Sequence, residues 1–115
     1  MARPLMALEI ERDRGLFRYN GSKNIENSYL LNLTNKATEM RYAFIHVSGT
    51  RDINMSGLDE VKLRAGEKRE IPIILEMDPA SLRGEVTNIT FEVSTSEEPE
   101  KRVAAPTTFL GPVFR

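Results

Sequence analysis

The feature that most limits what this chain can fold into is the alternation of apolar and polar residues along several short segments. In the segment NITFEVS, Ile89, Phe91 and Val93 alternate with polar residues, whereas a helical period is hard to find anywhere. Successive side chains of a β-strand point to opposite faces, so this period predicts a half-buried strand. The same pattern in other segments predicts that the core also contains Leu31, Leu33, Ile71, Ile73 and Leu75.

Eight strand-like segments follow one another along the chain. Short strands at this spacing, without alternating helices, predict an all-β, immunoglobulin-like antiparallel β-sandwich of seven to eight strands. The length of 115 residues, of which 40% are hydrophobic, suits a single domain over 1–115 with a short tail after 112. The predicted strands are 7–12, 27–34, 40–48, 52–56, 60–64, 68–77, 86–95 and 101–110.

Polar segments between the strands predict the turns. The segment TNKAT, residues 34–38, and the segment RAGEKR, which contains Gly66, each suggest a hairpin. DPASLRGE reads as a crossover with a helical turn after Pro79, and SEEPEKR as a charged turn. Pro72 and Pro106 lie inside strand-like segments, so each is expected at a sheet edge or at a position that makes no ladder hydrogen bond.

Two pairs of alternatives concern which side chains face outward. In strand 40–48, either Tyr42, Phe44 and His46 or their neighbours point inward, and we favour Ile45 and Val47 inward because β-branched residues pack well there. Phe109 and Leu110 are adjacent, so one fills the core while the other faces outward. We expect a structural role for this segment, and the alternative is an outward apolar docking patch. The candidate patch residues are Tyr42, Phe44, His46 and Phe109.

The composition argues against chemistry in this chain. There is no cysteine, which removes disulfides, iron–sulfur ligation and thiol catalysis. His46 is the only histidine, and Met6, Met40, Met55 and Met77 are scattered without a copper-binding cluster. A net charge of −1 with interspersed signs does not suggest nucleic acid as a partner. We therefore expect no catalytic, cofactor-binding or metal-binding residue.

Other motifs are also expected to be inert. The segment ERDRG, from Glu11 to Gly15, is interpreted as a solvated strand end with local ion pairs. Four N-x-[ST] tripeptides occur by chance in a Thr- and Ser-rich β sequence, and glycosylation is not expected. No G-x-S-x-G, P-loop, H-E-x-x-H or paired-carboxylate pattern occurs, so the chain is not expected to be an enzyme. The first residues lack a secretory signal, and no apolar segment is long enough to span a bilayer.

Four segments, in this order along the chain, resemble one family. LEIERDRGLFR resembles the segment that follows the last membrane helix of FixG/CcoG proteins, and IENSYLLNLTNKATEMRY resembles their next strand and turn. VKLRAGEKREIPIILEMDPASL is similar to their strand pair followed by Asp-Pro, and TTFLGP is similar to their terminal motif. The resemblance covers nearly the whole chain.

This resemblance implies a parent that is a multi-pass bacterial inner-membrane protein with iron–sulfur clusters, which takes part in cbb-type cytochrome oxidase assembly and copper handling. The chain would be its C-terminal immunoglobulin-like domain on the periplasmic face, a non-catalytic interaction or positioning module for protein partners of the assembly system. The cluster ligands would lie outside this chain. The alternatives are a generic cell-surface or adhesin module and a small copper-binding domain.

Overall fold

The structure is a two-layer sandwich of antiparallel β-sheets. A computed structural model describes residues 6–12 and 17–112. The strands are β1 Met6–Arg12, β2 Arg18–Tyr19, β3 Ile25–Asn35, β4 Arg41–Ser48, β5 Ile53–Gly57, β6 Glu60–Leu63, β7 Lys68–Met77, β8 Val86–Thr95 and β9 Val103–Leu110. The first sheet has the order β1-β3-β7-β5, with β2 also beside β3, and the second has the order β6-β4-β8-β9. This arrangement confirms the predicted all-β sandwich.

The eight predicted strands are all present; 68–77 and 86–95 have the predicted boundaries, and the others differ by one or two residues. β2 was not predicted, because two residues are too few to show a period. The helical turn after Pro79 is a 3₁₀ turn, Pro79–Ser81, and Asp78 Oδ1 caps it by accepting a hydrogen bond from Ala80 N at 2.9 Å. Within residues 6–12 and 17–112, no helix has the length and apolar character needed to cross a membrane.

The inward-facing residues of both sheets form one core. All eight residues predicted from the alternation are buried, and the rings of Tyr29 and Phe91 meet edge to face with centroids 5.3 Å apart. In β4, Ala43 and Ile45 are buried and Val47 is half-buried, so the favoured orientation of this strand is confirmed.

The two loops predicted as hairpins are not hairpins. β3 lies in the first sheet and β4 in the second, so residues 36–40 carry the chain across the sandwich. The loop containing Gly66 likewise connects β6 in the second sheet to β7 in the first. A short polar break predicts a reversal of direction, but it does not tell whether the chain returns to the same sheet or to the opposite one.

Asn35 explains why the two loops cross at the same end. Its side chain is fully buried, and its Nδ2 donates to the carbonyl oxygens of Glu39, Leu63 and Arg64 at 3.0, 3.2 and 3.0 Å. Its Oδ1 accepts from Ala37 N at 3.0 Å. One side chain therefore satisfies main-chain groups of both loops, as burial requires.

The opposite side of the sandwich is fastened by two side chains of β3. Asn27 exchanges two hydrogen bonds with the main chain of Leu110, at 2.9 and 2.8 Å. Tyr29 Oη donates to Thr108 O at 2.8 Å, and burial raises the pKa of this phenol. β9 is an edge strand of the second sheet, so these bonds join it to the first sheet where no ladder does.

Both prolines occupy the positions predicted for them. The main chain of Thr108 and Leu110 faces Asn27 and Tyr29, away from β8, and Pro106 shares this direction by the two-residue period. Pro72 lies opposite Leu30 with its carbonyl turned toward β5, beyond the last β5 pair at Gly57. Neither proline removes a ladder hydrogen bond.

Phe109 is fully buried, which confirms its structural role and contradicts its inclusion among the docking residues. Thr87 lies opposite Phe109 on β8, and the period of β9 turns the phenylalanine ring into the sandwich. Gly111 of the FLGP segment is also buried. It leaves room for Leu82, because a Cβ on Gly111 would lie 2.6 Å from Leu82 Cδ1. The tail 113–115 lies outside the described residues.

Replacement of Asn35 by Ala should lower the free energy of unfolding by ~2–4 kcal/mol, because it leaves several buried main-chain groups without a partner. Urea denaturation followed by circular dichroism measures this loss. Asn32→Ala, on the outward face of the same strand, is the matched control and should change stability by less than ~0.5 kcal/mol. Equal losses for the two variants would show that the Asn35 bonds do not stabilise the fold.

Replacement of Phe109 by Ala should cost ~3–5 kcal/mol, the usual effect of removing a buried aromatic side chain. The same denaturation experiment measures it, with Val86→Ala as a control, since Val86 is 55% exposed. A loss below ~0.5 kcal/mol would contradict the core position of Phe109.

Candidate functional site

The outer face of the second sheet carries an aromatic surface on β4. Because Ala43 and Ile45 point into the core, Tyr42, Phe44 and His46 point to solvent. Tyr42 is 36% and Phe44 38% exposed. Three of the four residues predicted for a docking patch therefore share one face. We call Tyr42, Phe44 and His46 the β4 face.

Charged and polar side chains flank the β4 face on both neighbouring strands. On β6, Lys62 lies opposite Tyr42 and Glu60 lies opposite Phe44. On β8, Ser94 lies opposite Phe44 and Glu92 lies opposite His46. The aromatic residues thus form a narrow apolar strip with polar borders, which is the general arrangement of a protein-binding surface.

Glu92 is the centre of the polar border beside His46. Its Oε1 accepts from Ser48 Oγ at 2.9 Å and its Oε2 from Arg102 Nη1 at 3.3 Å. These two hydrogen bonds lower the pKa of Glu92, with a further contribution from the charges of Arg102 and His46. Glu92 therefore stays ionised and holds Arg102 beside the β4 face.

The depression beside Phe44 and His46 has a volume of about 210 Å³. This is smaller than the ~300–1,000 Å³ of typical small-molecule sites. The Ser48 hydroxyl donates to Glu92, and no Ser–His hydrogen bond occurs in the described part of the chain. The surface is therefore suited to contact with a protein and lacks a nucleophile paired with a base.

A larger groove of about 660 Å³ lies at the end of the sandwich where β4 ends and β8 begins. The loop of residues 49–52 and the segment 80–87 line it, and Arg51 and Arg83 are the charged residues there together with Asp52. The residues that line it include no histidine and, in Asp52, a single carboxylate, so the groove offers no pair of carboxylates for acid–base chemistry.

Two carboxylates that sequence spacing did not connect meet on the first sheet. Glu26 of β3 lies opposite Glu76 of β7, and Asn20 Nδ2 donates to both carboxylates. Arg18 Nε also donates to Glu26 at 2.9 Å, and the bonds from Asn20 and Arg18 lower the pKa of Glu26. The pair is occupied in anchoring the β2–β3 turn. No local pattern in the sequence shows this pair, because the two carboxylates are 50 residues apart.

The methionines and the histidine that could ligate copper are separated. Met6 and Met77 are buried in the core, Met40 is exposed before β4, and Met55 is half-buried on β5. His46 points outward from the other sheet. Over the ranges that the structure describes, no group of three His, Cys, Asp or Glu residues is placed to hold a metal ion.

Of the ERDRG segment, Glu11 and Arg12 are described, whereas Asp13, Arg14 and Gly15 lie outside the described residues. Arg12 Nη1 donates to Thr108 Oγ1 at 2.6 Å, across the gap between the sheets. This contact adds to the fastening of β9 rather than to a binding site.

The stabilising effect of Glu92 should depend on pH. Its pKa is lowered in the folded state, so the ionised form contributes stability above its ordinary value of 4.5 and loses it as the pH falls through the lowered pKa. Glu92→Gln should therefore be less stable than wild type by up to ~1 kcal/mol at neutral pH and equally stable in acid. Thermal unfolding across this pH range measures the difference. Glu60→Gln is the control, and an equal pH dependence for both variants would contradict the role of Glu92.

Comparisons with known proteins agree with this fold. A family model described as "IG-like fold at C-terminal of FixG, putative oxidoreductase" matches residues 1–112. The crystal structure of a FixG-related protein from Vibrio parahaemolyticus has a TM-score of 0.88 and 22% identity, covering 96% of this chain and 100% of that chain. No curated protein sequence matches. Since the family model spans nearly the whole chain, the protein belongs to the family of FixG C-terminal immunoglobulin-like domains.

Proposed function

We propose that this domain is a non-catalytic interaction module, on the periplasmic face of the inner membrane, of a FixG-like membrane redox protein that serves cbb-type cytochrome oxidase assembly and copper handling. It docks a protein of the assembly system through the β4 face. The observation that carries the proposal is the pair of exposed aromatic side chains, Tyr42 and Phe44, on a sheet whose neighbouring strands present polar side chains.

Aromatic side chains at a sheet surface suit protein recognition for two reasons. They bury a large area with few rotatable bonds, and they are enriched at the centres of interfaces. The phenol of Tyr42 adds a polar atom that can hydrogen bond with a partner. Because β4 is an interior strand, between β6 and β8, both rings are presented by a rigid element.

The borders of the β4 face supply specificity. Lys62 and Arg102 offer positive charges on opposite sides of the aromatic strip, while Glu60 and Glu92 offer negative ones. Such mixed charges at a rim fix the orientation of a partner more than they increase its affinity. The expected partner therefore has an apolar centre and a rim carrying both signs of charge.

Redox chemistry in the proposed parent is supplied outside this chain. Iron–sulfur clusters are held by cysteine thiolates, and this chain contains no cysteine. The domain then contributes position and contact: it holds a partner close to the membrane-embedded part of the parent.

The double variant Tyr42→Ser/Phe44→Ser tests the proposal in the full-length parent protein. Removing two central aromatic residues should weaken docking by at least about 2 kcal/mol, roughly 30-fold in Kd. The amount of assembled cbb-type oxidase in membranes should fall, while the isolated domain should still unfold in one cooperative transition because both side chains lie outside the core.

Val86→Ser is the matched control, since Val86 is an exposed apolar residue near the other end of the second sheet. It should leave oxidase assembly unchanged. Normal oxidase levels in the double variant, or an equal loss in the control, would refute a docking role for the β4 face.

A further inference from the structure

The outer strands of the sandwich are protected unequally against pairing with another chain. An outer strand presents unpaired main-chain groups, and proteins usually shield them with charges, prolines or short strands. β1 contains three charged residues, and β6 has only four residues, two of them charged. β9 has Pro106 and the bonds from Asn27 and Tyr29. β5, with the sequence INMSG, has no charge and no proline.

The register shows which main-chain groups of β5 face outward. Asn35 N donates to Glu67 O at 2.8 Å, so odd-numbered residues of β7 bond to β3. The main-chain groups of even-numbered β7 residues therefore face β5. The Pro72 carbonyl oxygen agrees with this direction, because it lies 2.8 Å from the position that a Cβ on Gly57 would occupy.

It follows that Asn54 and Ser56, which lie opposite Glu76 and Ile74, direct their main chain toward β7. The main-chain N–H and C=O groups of the other three β5 residues point away from β7, toward the open edge of the sheet. Within the described ranges, no hydrogen bond within the chain reaches these outward groups. They belong to Ile53, Met55 and Gly57.

We propose that β5 pairs with β5 of a second copy of this chain, antiparallel and centred on Met55, so that the two first sheets become one continuous sheet. In this register Met55 lies opposite Met55 of the second copy, and Ile53 opposite Gly57 of the second copy. Residues whose main chains face outward then meet each other, and each pair exchanges two hydrogen bonds.

Side chains and charges agree with this self-pairing. The outward side chains of β5, Asn54 and Ser56, are uncharged, so no like charges meet. Arg51 and Asp52 precede β5, so the flank of the strand carries both signs of charge. The remaining exposed area of the half-buried Ile53 and Met55 would also be covered. An uncharged strand whose edge-facing residues pair with one another in this register favours a second copy over a charged peptide.

The expected dimer is weak, since a single five-residue strand buries far less than the ~1,600 Å² of a standard interface, and it should form only at high protein concentration. Sedimentation equilibrium over a concentration series measures it. Amide hydrogen exchange by NMR gives an independent signature: exchange at Ile53, Met55 and Gly57 should slow as concentration rises. Asn54 and Ser56, bonded to β7, should be protected at every concentration.

Met55→Pro should abolish the dimer. It removes an outward N–H and no bond to β7, so the melting transition should persist. Ala104→Pro is the matched control, because Ala104 on β9 shares the outward direction of Pro106, and it should dimerise as wild type does. A monomer at all concentrations, exchange that does not alternate along β5, or equal dimerisation of Met55→Pro would each overturn the proposal. A negative result for the dimer would not count against docking through the β4 face, because that face lies on the other sheet.

Discussion

The buried amide of Asn35 is the interaction on which the connection between the two sheets depends. The chain crosses between sheets at both loops of this end, and each crossing leaves main-chain groups that no ladder can pair. A buried unpaired carbonyl or N–H is costly, so the crossing requires a polar side chain at its centre. Asn is suited to it, since its Nδ2 donates and its Oδ1 accepts within one planar group. The three carbonyls bonded to Asn35 Nδ2 belong to both loops.

β3 organises the rest of the sandwich from this corner. It is the longest strand, and along it buried inward residues alternate without interruption with half-buried outward residues. Apolar side chains at this face fill the core, whereas Asn27 and Tyr29 reach the main chain of β9 in the opposite sheet. The chain has no cysteine, so no disulfide can link the two sheets. On this side, the hydrogen bonds from Asn27 and Tyr29 to the main chain of β9 hold the sheets together.

The stable core leaves two different surfaces available for contact. The β4 face is aromatic and lies on an interior strand, so any partner there recognises side chains. The outer edge of β5 is uncharged, so a partner there recognises the main chain. These modes do not compete, because β4 and β5 belong to different sheets. A domain with both surfaces can therefore bind its own copy and another protein at the same time.

The sequence by itself determined the strands, because the two-residue period is a local property: the burial of Ile89, Phe91 and Val93 follows from their spacing alone. It also determined the positions of Pro72 and Pro106, since a missing N–H excludes proline from a ladder.

Tertiary structure decided where each strand goes. The segments around Lys36 and Gly66 read as hairpins, and only the tertiary structure shows that they cross between the sheets, where the buried Asn35 amide pairs with their main-chain groups. The two-residue period does not tell which of Phe109 and Leu110 points inward. The pairing of Phe109 with Thr87 on β8 shows that it is Phe109. The Ser48–Glu92–Arg102 border of the β4 face joins three strand regions, so no local pattern could show it.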